Sequence, residues 1–328
     1  MTDLLRAFLV LAVTWWMYDG YAWLTNNVGT EGTVARLLLL LGMAGFLVMA
    51  LATPHVAERD GFAFGLAYLA VVLVHAGLFM HAPNSSARAT YRVAPFNLTS
   101  ALLVIAAGFV PERWNLVLWV AALLTLLTAI LMRGDCGFQL RADHFAERHG
   151  AIILIALGES LAGLGVGAGD IPVRLPLVRA VVLGLALAAA LWWSYFDRDD
   201  VRGEHALTRA DAPERARVGL QAYWFAHLLM IAGIVVAAAG LEGVISNVVQ
   251  PMPTATAWRL AAGVAMYLAG EIVFRRVLRL GPFRARLVAA GLAVATAPVG
   301  LVAAYVAQLT LLVVILTAML TFERLTNQ

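Results

Sequence analysis

Residues 218–241 read VGLQAYWFAHLLMIAGIVVAAAGL, a stretch without any Asp, Glu, Arg or Lys. About 20 apolar residues in a helix cross the hydrocarbon core of a bilayer, so this stretch predicts a membrane-spanning helix. The rest of the chain is similar, because 62% of its 328 residues are hydrophobic, 13% are charged and its mean hydropathy is +0.84. Soluble domains carry about 25% charged residues. The composition therefore excludes an ordinary soluble or disordered chain and predicts an all-α polytopic membrane protein.

Apolar runs bounded by charges or by Pro and Gly predict eleven transmembrane helices. They cover residues 4–24, 34–52, 62–80, 96–110, 114–132, 150–166, 177–196, 218–241, 258–274, 285–300 and 302–321. With these spans, 17 of the 23 arginines fall on one side of the membrane. Because basic loops stay in the cytoplasm, we expect a multi-pass inner-membrane protein with a cytoplasmic C-terminus.

Two similar stretches suggest an internal repeat. Trp15 and Trp16 precede Tyr18 at the end of the first span, and Trp192 and Trp193 precede Tyr195 at the end of the seventh. We expect one integral membrane domain with two halves, residues 1–133 (spans 1–5) and 134–328 (spans 6–11). One hypothesis is two parallel six-helix repeats, with the first helix of the first repeat absent. The alternative is that the Trp pairs only anchor helices at the membrane interface.

Ionisable side chains inside predicted spans are candidate functional groups, since each costs about 2.5–3.5 kcal/mol at mid-membrane. Glu159, followed by Ser160, is the strongest candidate, and we expect it to face the bundle interior near His227. Arg148 falls on the same helical face as Glu159, and His144 lies close to it. Such a stripe predicts a polar crevice entered from the cytoplasmic end. The alternative is that Glu159 only fixes helix packing through a hydrogen bond.

His144, Glu147 and His149 superficially resemble a set of metal ligands. On a helix, however, His149 points about 140° away from His144, so we predict no metal site and no cofactor. Glu147 and Arg148 are expected to form an ion pair or a helix cap at the cytoplasmic end.

Two buried histidines have two interpretations each. His227 lies one helical turn after Tyr223, and it could relay protons because histidine titrates near neutral pH. It could equally be a hydrogen-bond partner between helices. His75 is interpreted in the same way, with weaker support.

Two acids also allow two interpretations. An i,i+4 ion pair with Arg275 would explain Glu271 without a functional role. Asp19 lies close to Trp15 and Trp16, and these aromatic rings could bind a cationic ligand or form an interface belt. Together with Trp192 and Trp193, these groups predict a polar cavity that opens to the cytoplasm.

Residues 144–150, HFAERHG, are followed by ALGES at 156–160. This pattern resembles the signature of the bacterial low-temperature-requirement A (LtrA) family, H-F-x-E-R-x-G followed by I-x-L-G-E-S. Family members usually open with a further helix carrying E-L-F-F-D-L-V-F, and this sequence starts after that point. The resemblance implies a membrane protein and only a loose link to growth in the cold; it implies no settled activity.

Three functions are compatible with these features. The first is transport or permeation of a small solute or ion, coupled to protons, which predicts a polar path to both membrane faces. The second is an intramembrane enzyme for a lipid or hydrophobic metabolite, with Glu159 and His227 as acid and base; it predicts a blind pocket with a lateral opening. The third is a non-catalytic stress-related membrane protein. Expected partners are the lipid bilayer and a small-molecule or ion substrate, with no nucleic acid; a homo-oligomer is left open.

Overall fold

The computed structural model describes residues 2–27, 32–80, 86–132, 140–169, 171–246, 253–303 and 305–326. Within these ranges every regular element is a helix and no residue is in a strand. The chain divides into two compact units, Met1–Arg141 and Ala142–Gln328. The predicted boundary between residues 133 and 134 lies outside the described residues.

The described part of the first unit contains five long helices. They are α1 (Thr2–Asn27), α2 (Thr33–Ala52, followed by a 3-10 turn at Thr53–His55), α3 (Gly61–Met80), α4 (Ser86–Ala107) and α5 (Glu112–Leu131). Successive helices from α2 to α5 pack side by side, and α1 packs against α3 and α5. Gly65 makes the close contact of α3 with α4, because a side chain there would collide with the backbone of Ile105.

The second unit begins with two long helices and continues into irregular helical segments. Its elements are α6 (Ala142–Ala168), α7 (Leu175–Phe196), α8 (Asp199–Arg209), α9 (Ala212–Val218), a π-helical segment (Gly219–Ala226), α10 (His227–Ser246), α11 (Thr254–Leu278), α12 (Arg284–Ala295), α13 (Ala297–Ala303) and α14 (Tyr305–Thr326). Helices α10 and α11 have the most extensive contact. Small residues let membrane helices approach closely, and Gly233 and Gly263 lie where any side chain would strike the facing backbone.

Nine segments of the described chain are long and apolar enough to cross a membrane. They are Thr33–His55, Gly61–Met80, Arg113–Leu131, Ala142–Ala168, Leu175–Arg209, Ala212–Ile245, Thr254–Leu278, Arg284–Val302 and Tyr305–Thr326. Each overlaps a predicted span. The remaining predicted spans, 4–24 and 96–110, coincide with α1 and α4, which are not among the nine; α4 contains Pro95 and only a shorter apolar part, Tyr91–Ala107. A multi-pass helical membrane protein is therefore supported, while the number eleven stays a prediction.

Candidate functional site

Five charged side chains meet in the interior of the second unit and form what we call the ion cluster. It consists of Asp199 on α8, Glu271 and Arg275 on α11, Arg286 on α12 and Glu323 on α14. All five are buried, and Asp199, Glu271 and Arg286 are each only 1% exposed. The cluster therefore joins four helices through charged groups that are withdrawn from solvent.

Arg275 binds two carboxylates with both ends of its guanidinium. Its Nε and Nη2 donate to the two Asp199 carboxylate oxygens at 2.6 and 3.1 Å. Its Nη1 and Nη2 donate to the two Glu323 oxygens, both at 2.9 Å. Such bidentate pairs are the strongest arginine–carboxylate arrangement, and Arg275 therefore fixes α11 to α8 and α14.

Arg286 lies against all three carboxylates of the cluster. Its Nη1 is 2.8 Å from Glu271 Oε2 and 3.0 Å from Asp199 Oδ2. Its Nε and Nη2 each donate to Glu323 at 3.2 Å, and Nη2 also donates to the Ser194 carbonyl at 2.8 Å. This one side chain holds α12 against three other helices of the cluster and against α7.

Glu271 completes the cluster through α7. The Ser194 hydroxyl donates to Glu271 Oε1 at 2.6 Å, and one turn earlier on α11 the Tyr267 hydroxyl donates to the Leu191 carbonyl at 3.0 Å. The expected i,i+4 ion pair of Glu271 with Arg275 is wrong: within the described residues the two have different partners. Carboxylates and arginines of other helices pack against the buried face of α11. Glu271 and Arg275 pair with these groups instead of with each other, as they would on a solvated helix.

The ion cluster borders a small polar cavity of about 20 Å³, room for about one water molecule. Its inner wall contains Ser194, Asp199, Arg275, Arg286 and Glu323. Toward the surface it is lined by Trp193, Asp197, Arg198, Arg202, Leu320 and Arg324. We call this outer part the arginine mouth. The ion cluster therefore adjoins a cavity whose outer lining comes from the junction of α7 and α8 and from the end of α14.

Two histidines and two tyrosines form a second buried group, beside the first. The Tyr195 hydroxyl and His227 Nε2 are 3.0 Å apart, and His227 Nδ1 lies 3.0 Å from the Ala222 carbonyl. Because a carbonyl only accepts, Nδ1 carries the proton and Nε2 accepts from Tyr195. The Ala222 carbonyl belongs to the π-helical segment, and such segments are frequent at functional sites. His227 is thus held as an oriented hydrogen-bond acceptor.

His149 and Tyr223 flank His227. The ring of His149 is centred 5.2 Å from that of His227, and its Nδ1 is 2.9 Å from the Phe145 carbonyl. Tyr223 stacks on His227 at 5.1 Å, and its buried hydroxyl has no hydrogen-bond partner among the described residues. Tyr223 and His227 therefore lie side by side inside the unit.

The expectation that Glu159 faces the bundle interior near His227 is wrong, since its side chain is exposed on α6. The buried stripe of α6 runs through His149, Ile153, Leu157 and Leu164. At 100° per residue, Glu159 lies about 120° from the middle of this stripe. His149, from the same motif, reaches His227 instead.

The other predicted residues of α6 and α7 lie mostly outside the core. Glu147 and Arg148 are exposed and His144 is half-buried. The Ser160 hydroxyl donates to the Ala156 carbonyl of its own helix. Trp192 and Trp193 are partly exposed, and Trp193 donates to Asp197 at 3.1 Å. The stripe from His144 to Glu159 therefore does not line the polar cavity. Among the described residues no three His, Cys, Asp or Glu side chains group as a metal site.

The first unit buries its own candidates. Trp15, Trp16 and Asp19 are all buried, and Trp16 Nε1 donates to Asn97 Oδ1 at 2.9 Å. His75 is also buried, and its Nε2 lies 3.0 Å from the Gly20 carbonyl. These residues thus connect α1 to α3 and α4 inside the unit.

Sequence reasoning missed Ser194, Tyr195, Asp199, Arg286 and Glu323. Most of the missed charges lie at the ends of predicted spans, where arginines and acids are usually solvated. Arg286 is the second residue of the predicted tenth span, so its position did not distinguish it from a loop arginine.

These features define a helical, multi-pass membrane protein with a buried charge cluster. The chain belongs to the family described as bacterial low temperature requirement A protein (LtrA), whose model matches residues 1–321. It is also similar to the uncharacterized protein RA0937 of Rhizobium meliloti (strain 1021), with 23% identity over 285 residues, which are 83% of this chain and 69% of that protein. No solved structure matches the chain.

Proposed function

We propose that this LtrA-family protein transports a small solute or ion across the inner membrane and couples that movement to protons. The ion cluster is the proton site. The observation that carries the proposal is the charge count, because three buried carboxylates face two buried guanidiniums. Buried ionisable groups inside membrane segments typically mark ion or proton pathways.

An uncompensated charge in a low-dielectric interior is costly, so such a group takes up a proton or a partner instead. With all groups ionised, the cluster holds one negative charge in excess. One proton on a carboxylate balances it. When that proton leaves, the new carboxylate charge competes with the other two carboxylates for hydrogen bonds from Arg275 and Arg286. These two arginines connect the helices of the cluster. Protonation is therefore linked to how α8, α11, α12 and α14 pack.

The neighbouring histidines extend the site. Ser194 and Tyr195 are adjacent on α7, and their hydroxyls bind Glu271 and His227 respectively. Helix α7 thus carries hydroxyl groups to both buried clusters. We take the arginine mouth to be the cytoplasmic entrance, because the arginine distribution of the sequence favours a cytoplasmic position for this end and for the C-terminus.

We also propose that the two units are parallel repeats. Within each unit the helix carrying the Trp-Trp pair packs against the last helix, α1 on α5 and α7 on α14. In each unit a tyrosine hydroxyl also links this helix to the helix two membrane spans later, with the donor on opposite helices: Tyr21 on α1 donates to the Val71 carbonyl on α3, and Tyr267 on α11 donates to the Leu191 carbonyl on α7. These matched neighbours support the hypothesis.

The transport proposal is tested in proteoliposomes that enclose a pH-sensitive dye. A pH gradient and a potassium diffusion potential are imposed, and amino acids, organic acids, amines and inorganic cations are added one class at a time. Wild-type vesicles are expected to show proton movement that one class accelerates. Glu271→Gln should lose it, while Glu214→Gln, an exposed carboxylate on α9, should behave like wild type. Wild-type vesicles as proton-tight as empty ones under every condition would contradict the proposal.

The intramembrane enzyme is the second candidate, and one observation favours it: an apolar groove on the side of the second unit joins the polar cavity. The acid–base pair Glu159 and His227 does not support it, because Glu159 is exposed away from His227. Incubating the purified protein with membrane lipids and analysing them by mass spectrometry tests this candidate, since an enzyme produces a new lipid species.

A further inference from the structure

An apolar groove of about 380 Å³ runs between α7 and α14. Its walls are made mainly of small and aliphatic side chains: Ala186, Ala189, Ala190, Val313, Thr317, Leu320 and Thr321. At one end it is lined by Trp193 and Arg324. Its volume falls within the range of about 300–1,000 Å³ that is usual for small-molecule sites.

The groove continues into the arginine mouth. Trp193, Leu320 and Arg324 line both the groove and the polar cavity. The Arg324 guanidinium lies 5.2 Å from the centre of the Trp193 ring and 2.7 Å from Asp197. The lining of the crevice therefore changes from apolar in the groove to charged in the arginine mouth at Trp193 and Arg324. Such a surface matches a ligand with an apolar part and a charged part.

The arginine mouth has an excess of positive charge. Arg198 and Arg324 share one carboxylate, Asp197, at 3.6 and 2.7 Å. Arg202 has no ion-pair partner within the described residues. Helix α8 also carries Asp200 and Glu204, but neither lines the cavity. The mouth thus complements an anion, in contrast to the ion cluster behind it.

We propose that this crevice binds one anionic phospholipid, with an acyl chain in the groove and the phosphate at Arg202 and Arg324. Arginine forms bidentate hydrogen bonds with phosphate, and the apolar walls match a hydrocarbon chain. A zwitterionic lipid adds a cation beside the phosphate, which the arginines disfavour. The proposal goes beyond proton-coupled transport and does not depend on it.

The test uses the full-length protein in detergent and native mass spectrometry. The probes are phosphatidylglycerol and phosphatidylcholine with the same acyl chains. We expect one phosphatidylglycerol to bind about tenfold more tightly than phosphatidylcholine, the ratio expected from one charge-assisted contact. This wild-type comparison needs no variant.

Paired variants locate the site. Arg202→Gln and Ala189→Phe should each weaken phosphatidylglycerol binding about tenfold. Arg209→Gln, on the same helix but away from the cavity, and Ala318→Phe, beside the groove on α14, should bind like wild type. If Ala189→Phe does not fold, Thr317→Phe fills the same groove from α14.

Three results would overturn the proposal. Equal binding of both lipids would mean that the groove holds only bulk lipid. If Arg202→Gln and Ala189→Phe each bound phosphatidylglycerol with wild-type affinity, the lipid would bind elsewhere. Inorganic phosphate alone raising the melting temperature as much as phosphatidylglycerol would mean that no acyl chain is bound. None of these measurements involves proton movement, so their failure and that of the transport proposal are distinguishable.

Discussion

Replacing Arg286 by methionine is expected to destabilise the second unit strongly. Methionine keeps the apolar stem but removes the guanidinium that contacts Asp199, Glu271, Glu323 and the Ser194 carbonyl. Three buried carboxylates would then face Arg275 alone. Breaking a buried ion pair by removing one partner costs about 3–5 kcal/mol, because the other charge is left buried without compensation.

A destabilisation in the upper part of this range is expected, because Arg286 forms ion pairs with three carboxylates. For a unit of this size, each kcal/mol lowers the melting temperature by about 2–4 °C, so a loss of about 4–5 kcal/mol gives a decrease of about 8–20 °C. The assay is thermal unfolding of both proteins in the same detergent at neutral pH. Arg284→Met is the matched control, since Arg284 is exposed on the same helix, and it should melt within about 2 °C of wild type.

A second substitution separates lost charge balance from lost packing. Adding Glu271→Gln to Arg286→Met removes one of the uncompensated carboxylates, so the double variant should recover part of the lost melting temperature. The reasoning is refuted if Arg286→Met melts within about 2 °C of wild type, or if Glu271→Gln lowers the melting temperature of Arg286→Met further.

Other predictions concern the neighbouring structure. Gly263→Ala should lower the melting temperature more than Gly291→Ala, because a side chain at 263 meets the α10 backbone whereas position 291 is open; equal melting temperatures would contradict this. Tyr195→Phe leaves buried His227 Nε2 without its hydrogen-bond donor and should lower the free energy of unfolding by about 1–3 kcal/mol. Thermal unfolding measures this loss, and an unchanged melting temperature would contradict it. Glu159→Leu should keep or raise the melting temperature, since the Glu159 carboxylate is exposed; misassembly of this variant would indicate a packing role.

The membrane helices follow from sequence because hydropathy is a local property. Every one of the nine membrane-length segments overlaps a predicted span, and Glu271 and His227 were recognised because an ionisable group within an apolar run is unusual. Their burial agrees with that reasoning. The sequence therefore indicates which spans carry an ionisable side chain that is costly to place in the membrane.

The direction in which such a group points could not be predicted. On α6 the buried Ile153 and Leu157 and the exposed Leu154 and Ile155 are equally apolar. A helix that is apolar on all sides has no amphipathic pattern to mark its inner face. The prediction that Glu159 faces inward rests on the cost of an ionisable group at mid-membrane, whereas the face of α6 that carries Glu159 is exposed.

The ion cluster was out of reach because its partners are distant in sequence. Arg275 and Asp199 are 76 residues apart, and Arg286 and Glu323 are 37 apart. Asp199 and Glu323 follow apolar runs, where charges are usually solvated at the membrane surface. Only the packing of α8, α11, α12 and α14 brings them together.

The most direct test of the central claim is infrared difference spectroscopy of the protein in liposomes as the pH is raised. The proposal predicts the carboxylic C=O band of one buried protonated acid in the wild type, which disappears at alkaline pH and is absent from Glu271→Gln, where two carboxylates balance two guanidiniums. A wild-type spectrum without this band at any pH, or a band unchanged in Glu271→Gln, would contradict it.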